Sequence, residues 1–467
     1  MSTVLRNAVA FVVGDAGSRV IGFFVTVYLV RVLAPEAFGT VTVGLALLGY
    51  LGLLASPGVQ ILETRNVAAS PVDLPKRVGA VITLRLLLAG VIALAAWGVA
   101  RVVVEDRRTA DVIGLYAACL VPMALLLDWW FQGKEDFRAL GASRVVQFLV
   151  YALAAILMVR STDDLEAAPK AFFLGGLAGS VFLLAIYAVR TGSMPMHFKP
   201  ALWKRILSDN VPVGGAVLAA QAATSLPPIV VAAMLGAVAA AEYGAAMRLV
   251  FMFLFVDRLV HALLLPALSR QLARDRHRAR LTTAVVLKLQ IVFLVPLGLL
   301  LMLSGEQILS LLYGQSYASA GPLLQVMVSY VLLTLMNTVF VCVLVGSGQE
   351  RDYSRIMTVG STLMAMLVVL MTIAAGSLGA AVGVVIGEAL VTFWMSVKAR
   401  DVLRALPAWR IASAVVLVAC AGPALVLQDE VGLAVGLVVA LTVYVLSVVM
   451  VGGVTREDLR HLREHLI

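Results

Sequence analysis

An all-α polytopic membrane protein, crossing the bilayer about fourteen times, is the fold class this sequence predicts. Three observations predict it. Of the 467 residues 61% are hydrophobic and only 13% charged, with a mean hydropathy of +1.00, whereas a soluble chain needs far more charge on its surface. Apolar runs of about 20 residues recur along the whole length, each long enough to cross ~30 Å of hydrocarbon as a helix. The cationic residues fall in alternate connections.

The spans are taken in order, with boundaries good to a few residues. The first, 8–33, contains Asp15 and Arg19 and runs into LAPEAFG. Spans at 38–62 and 78–104 follow, the latter carrying Arg85. The fourth, 110–131, ends in Trp129, Trp130 and Phe131, aromatics of the kind that mark a membrane interface. Spans at 143–160 and 169–190 complete the first six. The seventh, 207–235, contains Pro227-Pro228, which predicts a kinked or broken helix there. The eighth, 242–268, holds Arg248, Asp257, Arg258 and His261. Spans nine and ten, 284–303 and 320–345, flank Tyr313 and Tyr317, again read as interface aromatics. Spans at 354–376, 378–400 (with Glu388), 410–427 and 431–453 finish the series. No connection is long enough for a soluble domain, and a cleaved signal peptide is not expected. Cys119, Cys342 and Cys420 all fall within spans, forming neither a disulfide framework nor a metal cluster, so no cofactor is expected.

A net charge of +9 could suggest nucleic acid, but its placement excludes that. With both ends cytoplasmic, the termini and even-numbered connections hold 25 of the 36 Lys and Arg, among them five arginines in 270–280. The opposite connections hold six. This is the positive-inside bias, and it predicts an inner-membrane protein with cytoplasmic termini. The basic run at 267–281 suits anionic lipid or a partner enzyme's docking surface.

An internal repeat emerges from spacing. LAPEAFG (33–39) and AAAEYGA (239–245) each place an aromatic before a glycine, Phe38-Gly39 and Tyr243-Gly244. A hydroxyl residue and an arginine follow at the same distance, Thr64-Arg65 and Ser269-Arg270, and the offset is 205 throughout. Spans one to six are therefore read as duplicated in seven to twelve, in one orientation, a transporter plan with the path between the lobes. The expected organisation is an N-lobe over 1–206, a C-lobe over 207–404 and an appended helix pair with a tail over 405–467.

Several runs carry a family resemblance. LVRVLAPEAFGTVTVG, DWWFQGKEDFR (128–138), AAEYGAAMRLV…LLPALSR (241–270) and EQILSLLYGQSYASAGPLLQVM (306–327) resemble the oligosaccharide flippases of polysaccharide biosynthesis. Their superfamily also includes the MATE multidrug exporters and the lipid II flippases. The resemblance covers spans one to twelve and implies two six-helix lobes around a central cavity opening alternately to either side. It implies as function the flipping of a polyprenyl-pyrophosphate-linked oligosaccharide to the outer leaflet. The implied partners are that lipid-linked cargo, membrane lipids, and the glycosyltransferases or polymerase of the same pathway. Many relatives carry an acid in span seven where this chain reads AATSLPPIVV (222–231), which puts any coupling scheme built on that acid in doubt.

A charge in mid-membrane is costly facing lipid and usually faces a cavity or a partner. Arg19 lies roughly 16 Å into its span at 1.5 Å per residue, near the midplane. Arg248 is shallower, towards the outside, and Arg85 sits in the cytoplasmic third. Asp15 and Arg19 share one helix face and could simply neutralise each other, and Glu388 could hold any of the arginines. Adjacent Asp257 and Arg258 point about 100° apart. As a set, Arg19, Arg85, Arg248 and Arg258 against Asp15, Asp257 and Glu388 fit a hydrated cationic cavity. Guanidinium keeps its charge when desolvated and meets phosphate oxygens with paired hydrogen bonds, so the arginines are the expected substrate ligands. The three carboxylates are the expected orienting or ion-coupling groups. His261 more often satisfies a hydrogen bond than shuttles protons.

No G-x-x-x-x-G-K-[ST] loop is present, so energy is expected from an ion gradient, the membrane potential or product removal. The chain is expected not to be an enzyme. Two alternatives remain open: an ion-coupled multidrug or metabolite antiporter of the same superfamily, and a membrane glycan polymerase or ligase, which would need larger external loops.

Overall fold

Lipid offers no partner to backbone polar groups, so a chain this apolar must satisfy them within helices, and it does. The computed structural model describes residues 3–69, 74–194, 197–400 and 442, among which there is no strand. The first unit, Met1–Gly244, contains α1 (Thr3–Val32), α2 (Pro35–Ala55), α3 (Val59–Ala69), α4 (Leu74–Val103), α5 (Arg107–Ala118), α6 (Leu120–Leu125) and α7 (Asp128–Gly133). It continues through α8 (Phe137–Met158), α9 (Ala167–Thr191), α10 (Pro200–Ala220) and α11 (Ala222–Leu235) into α12 (Ala237–Phe253). The second unit, Ala245–Ile467, takes the rest of α12, then α13 (Phe255–Arg274), α14 (Arg276–Leu303), α15 (Gly305–Tyr313), α16 (Gly321–Gly346) and α17 (Glu350–Lys398).

Among the described residues seven helical segments are long and apolar enough to cross a membrane, and the protein is a multi-pass membrane protein. Helix coincides with each expected span from the first to the twelfth, but several spans are broken. Span two divides at 56–58, and span four divides at Cys119 and again at 126–127. The eleventh and twelfth meet at Ala375 and Gly376, whose backbone angles leave the helical region inside α17. Spans thirteen and fourteen, and Cys420 with them, lie outside the described residues.

Pro227-Pro228 does not break the chain. α11 runs through both, and the interruption falls earlier, at Gln221. Each proline removes one helical donor, and the helix carries on around these local losses instead of stopping.

In the first unit α8 packs between α1 and α9, α4 lies on α5, and α10 and α11 pack against α2. α10 also touches α3 and α4. The two glycines paired by the repeat both sit at tight crossings. A Cβ on Gly39 would lie 1.9 Å from the carbonyl oxygen of Ala237, and one on Gly244 would lie 2.5 Å from a side-chain carbon of Thr42. No other residue fits either place without displacing its neighbour.

Trp129, Trp130 and Phe131 are not an interfacial belt. All three are buried and join Val78, Val81, Ile82 and Tyr187 in the core that α4, α7 and α9 share. Trp130 meets Tyr187 edge-to-face at 4.9 Å. Tyr313 and Tyr317 are likewise buried, with their rings in an edge contact at 6.0 Å. The interface reading assumed that aromatics at a span's end face lipid. Here the neighbouring helices cover them.

The WFQGKEDF run is a corner. Gln132 meets Gln60 of α3 at 2.8 Å, Glu135 takes a left-handed turn (φ 56°), and Asp136 caps α8 by accepting from the Ala139 N–H. Asp136 also pairs with Arg190 of α9, whose guanidinium lies 5.7 Å from the centre of the Phe131 ring.

Candidate functional site

Breaking a helix leaves main-chain carbonyls without donors, and span four does this twice. At the break between α6 and α7 the carbonyl of Met123, which accepts from the Leu126 N–H at 3.4 Å, and that of Leu126 both accept from one side chain, Arg85 of α4. Its two terminal nitrogens donate to them at 2.6 and 2.9 Å. Its Nε is buried without a protein partner.

One residue beyond the break, Asp128 opens α7 and forms an ion pair with Arg144 of α8. Arg144 also reaches Gln147. Arg85 acts electrostatically on the same carboxylate. These groups line a cavity of about 440 Å³ within the first unit, whose other walls include Gln60, Met123, Phe148 and Phe172. Two guanidiniums against one carboxylate leave the cavity with a surplus positive charge. Sequence reading placed Arg85 here, but it counted Arg144 with an inner connection and used Asp128 only as part of a motif. The signal was available: both fall inside the expected spans at 110–131 and 143–160, where any charge is costly.

Asp15 and Arg19 lie one turn apart on α1, with Arg19 Nε 2.8 Å from Asp15 Oδ2. The Arg19 side chain keeps 34% of its surface exposed and that of Asp15 keeps 16%. α1 can approach α8 closely because Gly14 faces Gly141, a Cβ there lying 2.9 Å from the Gly141 Cα. The pair therefore shares the first unit with the Arg85 cavity but is not among that cavity's lining residues.

In the second unit the carboxylates gather on α16. Glu388 of α17 is buried and accepts from Asn337 Nδ2 at 2.6 Å and from Thr334 Oγ1 at 3.3 Å. Asp257 of α13 accepts from Thr338 one turn along α16. Glu388 thus takes neutral donors among the described residues, and its hydrogen-bond partners include no arginine. Asn337 Oδ1 is buried beside it without a hydrogen-bond partner. Arg248, half-buried on α12, acts electrostatically on the Tyr313 phenol. The Arg258 side chain lies outside the described residues, and His261 is half-buried. No group of three or more metal-binding side chains occurs among the described residues.

Comparison with known proteins follows the same lines. The family described as "Polysaccharide biosynthesis protein" matches over residues 4–270. A protein of Escherichia coli (strain K12) provisionally named an O-antigen transporter is 21% identical over 404 residues, covering 85% of this chain and 96% of its own. Its counterpart from Shigella dysenteriae is 23% identical over 380 residues, covering 80% and 94%. Among solved structures, the lipid II flippase MurJ superposes with a TM-score of 0.76 at 11% identity, covering 97% of this chain and all of its own. An inward-facing multidrug resistance MATE family transporter of the MOP superfamily does so with a TM-score of 0.67 at 13% identity, covering 83% and 96%. These superpositions show the fold.

Proposed function

The chain belongs to the polysaccharide biosynthesis protein family, and from that premise we propose that it is a flippase. Its cargo is a saccharide linked to a lipid by pyrophosphate, moved to the outer leaflet of the cytoplasmic membrane. The single observation that carries this reading is the surplus guanidinium charge in a cavity closed on one side by apolar and aromatic walls. A pyrophosphate diester brings two adjacent anionic phosphates, which guanidiniums bind with charge-assisted bonds. A cation exporter would want carboxylates and open aromatic faces instead. Arg19, Arg85, Arg144 and Arg248 are the proposed cargo ligands. Asp15 and Asp128 orient their arginines, and Glu388 with Asp257 form the proposed ion-coupling pair.

The test is translocation of a fluorescent polyprenyl-pyrophosphate oligosaccharide in liposomes, comparing wild type with Arg19→Ala and Arg144→Gln. Movement by wild type, lost in both folded variants, is the expected result. No movement under a proton gradient, a sodium gradient or an imposed potential would favour the antiporter reading.

A further inference from the structure

The five arginines of 270–280 were read from sequence as a diffuse basic run. In the second unit two of them, exposed Arg276 and half-buried Arg280, line one pocket. Arg276 and Arg280, one turn apart at the start of α14, line a pocket of about 300 Å³ together with Lys398 at the end of α17. The remaining walls include Leu272 of α13 and Val343 and Leu344 in the last turns of α16.

Three features make this a built site. First, the neighbouring carboxylates are spoken for. Asp275 caps the start of α14 and pairs with Arg278, and Asp352, 3.1 Å from Lys398 Nζ, offsets that one cation of the pocket and leaves the two arginines as its surplus charge. Arg276 and Arg280 have no carboxylate partner among the described residues, and Arg280 Nε is buried without any hydrogen-bond partner. Second, the negative end of α16 is closed off. The carbonyls of Val343, Leu344 and Val345 accept from the N–H groups of Ser347, Gln349 and Gly348 at 3.0, 2.9 and 3.1 Å. Each of these carbonyls thus has a main-chain donor, and the end of α16 does not depend on the cations for its hydrogen bonds. Third, the pocket straddles a boundary. Val343 and Leu344 belong to a segment apolar enough to cross the membrane, whereas Arg276, Arg280 and Lys398 sit at helix ends beyond the apolar runs.

We propose that this pocket binds the phosphate of an anionic phospholipid headgroup, with Arg276, Arg280 and Lys398 as its ligands. A soluble phosphate would find the cations but gain nothing from Leu272, Val343 and Leu344. A phospholipid brings phosphate and the first methylenes of its acyl chains to the same place. The site is independent of the cargo cavity of the first unit.

The experiment uses the full chain, purified in mild detergent with mixed phosphatidylglycerol and phosphatidylcholine micelles, with retained phospholipid read by native mass spectrometry. Wild type is expected to hold phosphatidylglycerol in preference to phosphatidylcholine, and each cation removed weakens retention about fivefold. Arg276→Gln/Arg280→Gln tests the pair, and the exposed Lys398→Gln alone keeps the test decisive should the double variant fail to fold. Arg274→Gln, on the same run but off the pocket, is expected to change nothing. Equal retention of the two lipids overturns the proposal, as does an Arg274→Gln variant as damaging as the others. In phosphatidylcholine micelles alone, tight binding of inorganic phosphate or a nucleoside diphosphate with the same variant dependence would assign a soluble ligand instead and overturn the lipid.

Discussion

Glu63 shows what a single residue does where three helices of the first unit meet. Its carboxylate is fully buried, receives both Arg77 Nε and a terminal nitrogen at 2.7 and 2.8 Å, and is approached by Asn210 of α10 at 3.4 Å. One side chain thus ties α3, α4 and α10 together. Glu63→Gln removes the charge and leaves Arg77 uncompensated. Because Arg77 still reaches solvent, the cost should fall below that of a fully buried pair, at about 2–3 kcal/mol, read as a lowered unfolding temperature in detergent. Asp15 offers the opposite case. Its partner Arg19 is one-third exposed, so the pair contributes little to stability. Asp15→Asn should leave expression and unfolding temperature unchanged while slowing transport, since Arg19 loses the group that holds it. Equal losses in both measurements would return the pair to a structural bridge.

At the scale of elements, hydropathy located the helices well because about 20 apolar residues leave the backbone no other choice. What hydropathy could not show is where a helix breaks inside its span. The breaks at Cys119 and 126–127 carry no glycine and no proline at the break itself, and the proline pair that predicted a break at 227–228 lies within continuous helix. Main-chain groups released by a break need a donor from elsewhere. That donor is Arg85, and its role depends on 38 to 41 residues of sequence separation that no local pattern records. Arg85→Ala should leave the Leu126 carbonyl unpaired and the Met123 carbonyl with only its 3.4 Å bond from the Leu126 N–H, costing about 1–3 kcal/mol, whereas Arg85→Lys keeps a cationic donor but loses the planar fork that reaches both. Unfolding temperatures ordered wild type, Lys, Ala would support this, and equal losses in the two variants would refute it. In the connection between α4 and α5, Asp106 caps α5. Its carboxyl is held below the usual range by the Thr109 hydroxyl and backbone, and also by the Arg108 backbone. Stability from a carboxyl lowered in this way is present above its ordinary pKa and lost as pH falls through the folded value. Protection of the first-turn amides of α5 against exchange, taken relative to the intrinsic rate at each pH, should therefore fall only in acid.

For the whole molecule, the basic residues predict sidedness more directly than any helix does. Asp163, in the connection between α8 and α9, should be external, and Arg278, at the start of α14, cytoplasmic. In a background with its cysteines replaced, Asp163→Cys should react with an impermeant maleimide in intact cells, and Arg278→Cys only after the membrane is opened. The reverse pattern would invert the topology and with it the direction assigned to transport.

The surplus charge beside Asp128 has an electrical consequence. In a carrier that opens to one side and then the other, charges fixed at the binding site experience the membrane field together with the cargo. A cargo of charge −2 in the first-unit cavity, whose lining carries +1, travels outward as −1, and the empty carrier then brings +1 back inward, so a negative interior favours both steps, by about 2.3 kcal/mol per charge per 100 mV across the full field. Asp128→Asn would raise the site to +2 and bring the loaded carrier to electrical neutrality. In the folded variant the voltage dependence should then move from the loaded step to the return of the empty carrier, read as single-turnover translocation that no longer responds to voltage. In this view Asp128 sets which half of the transport cycle feels the membrane potential.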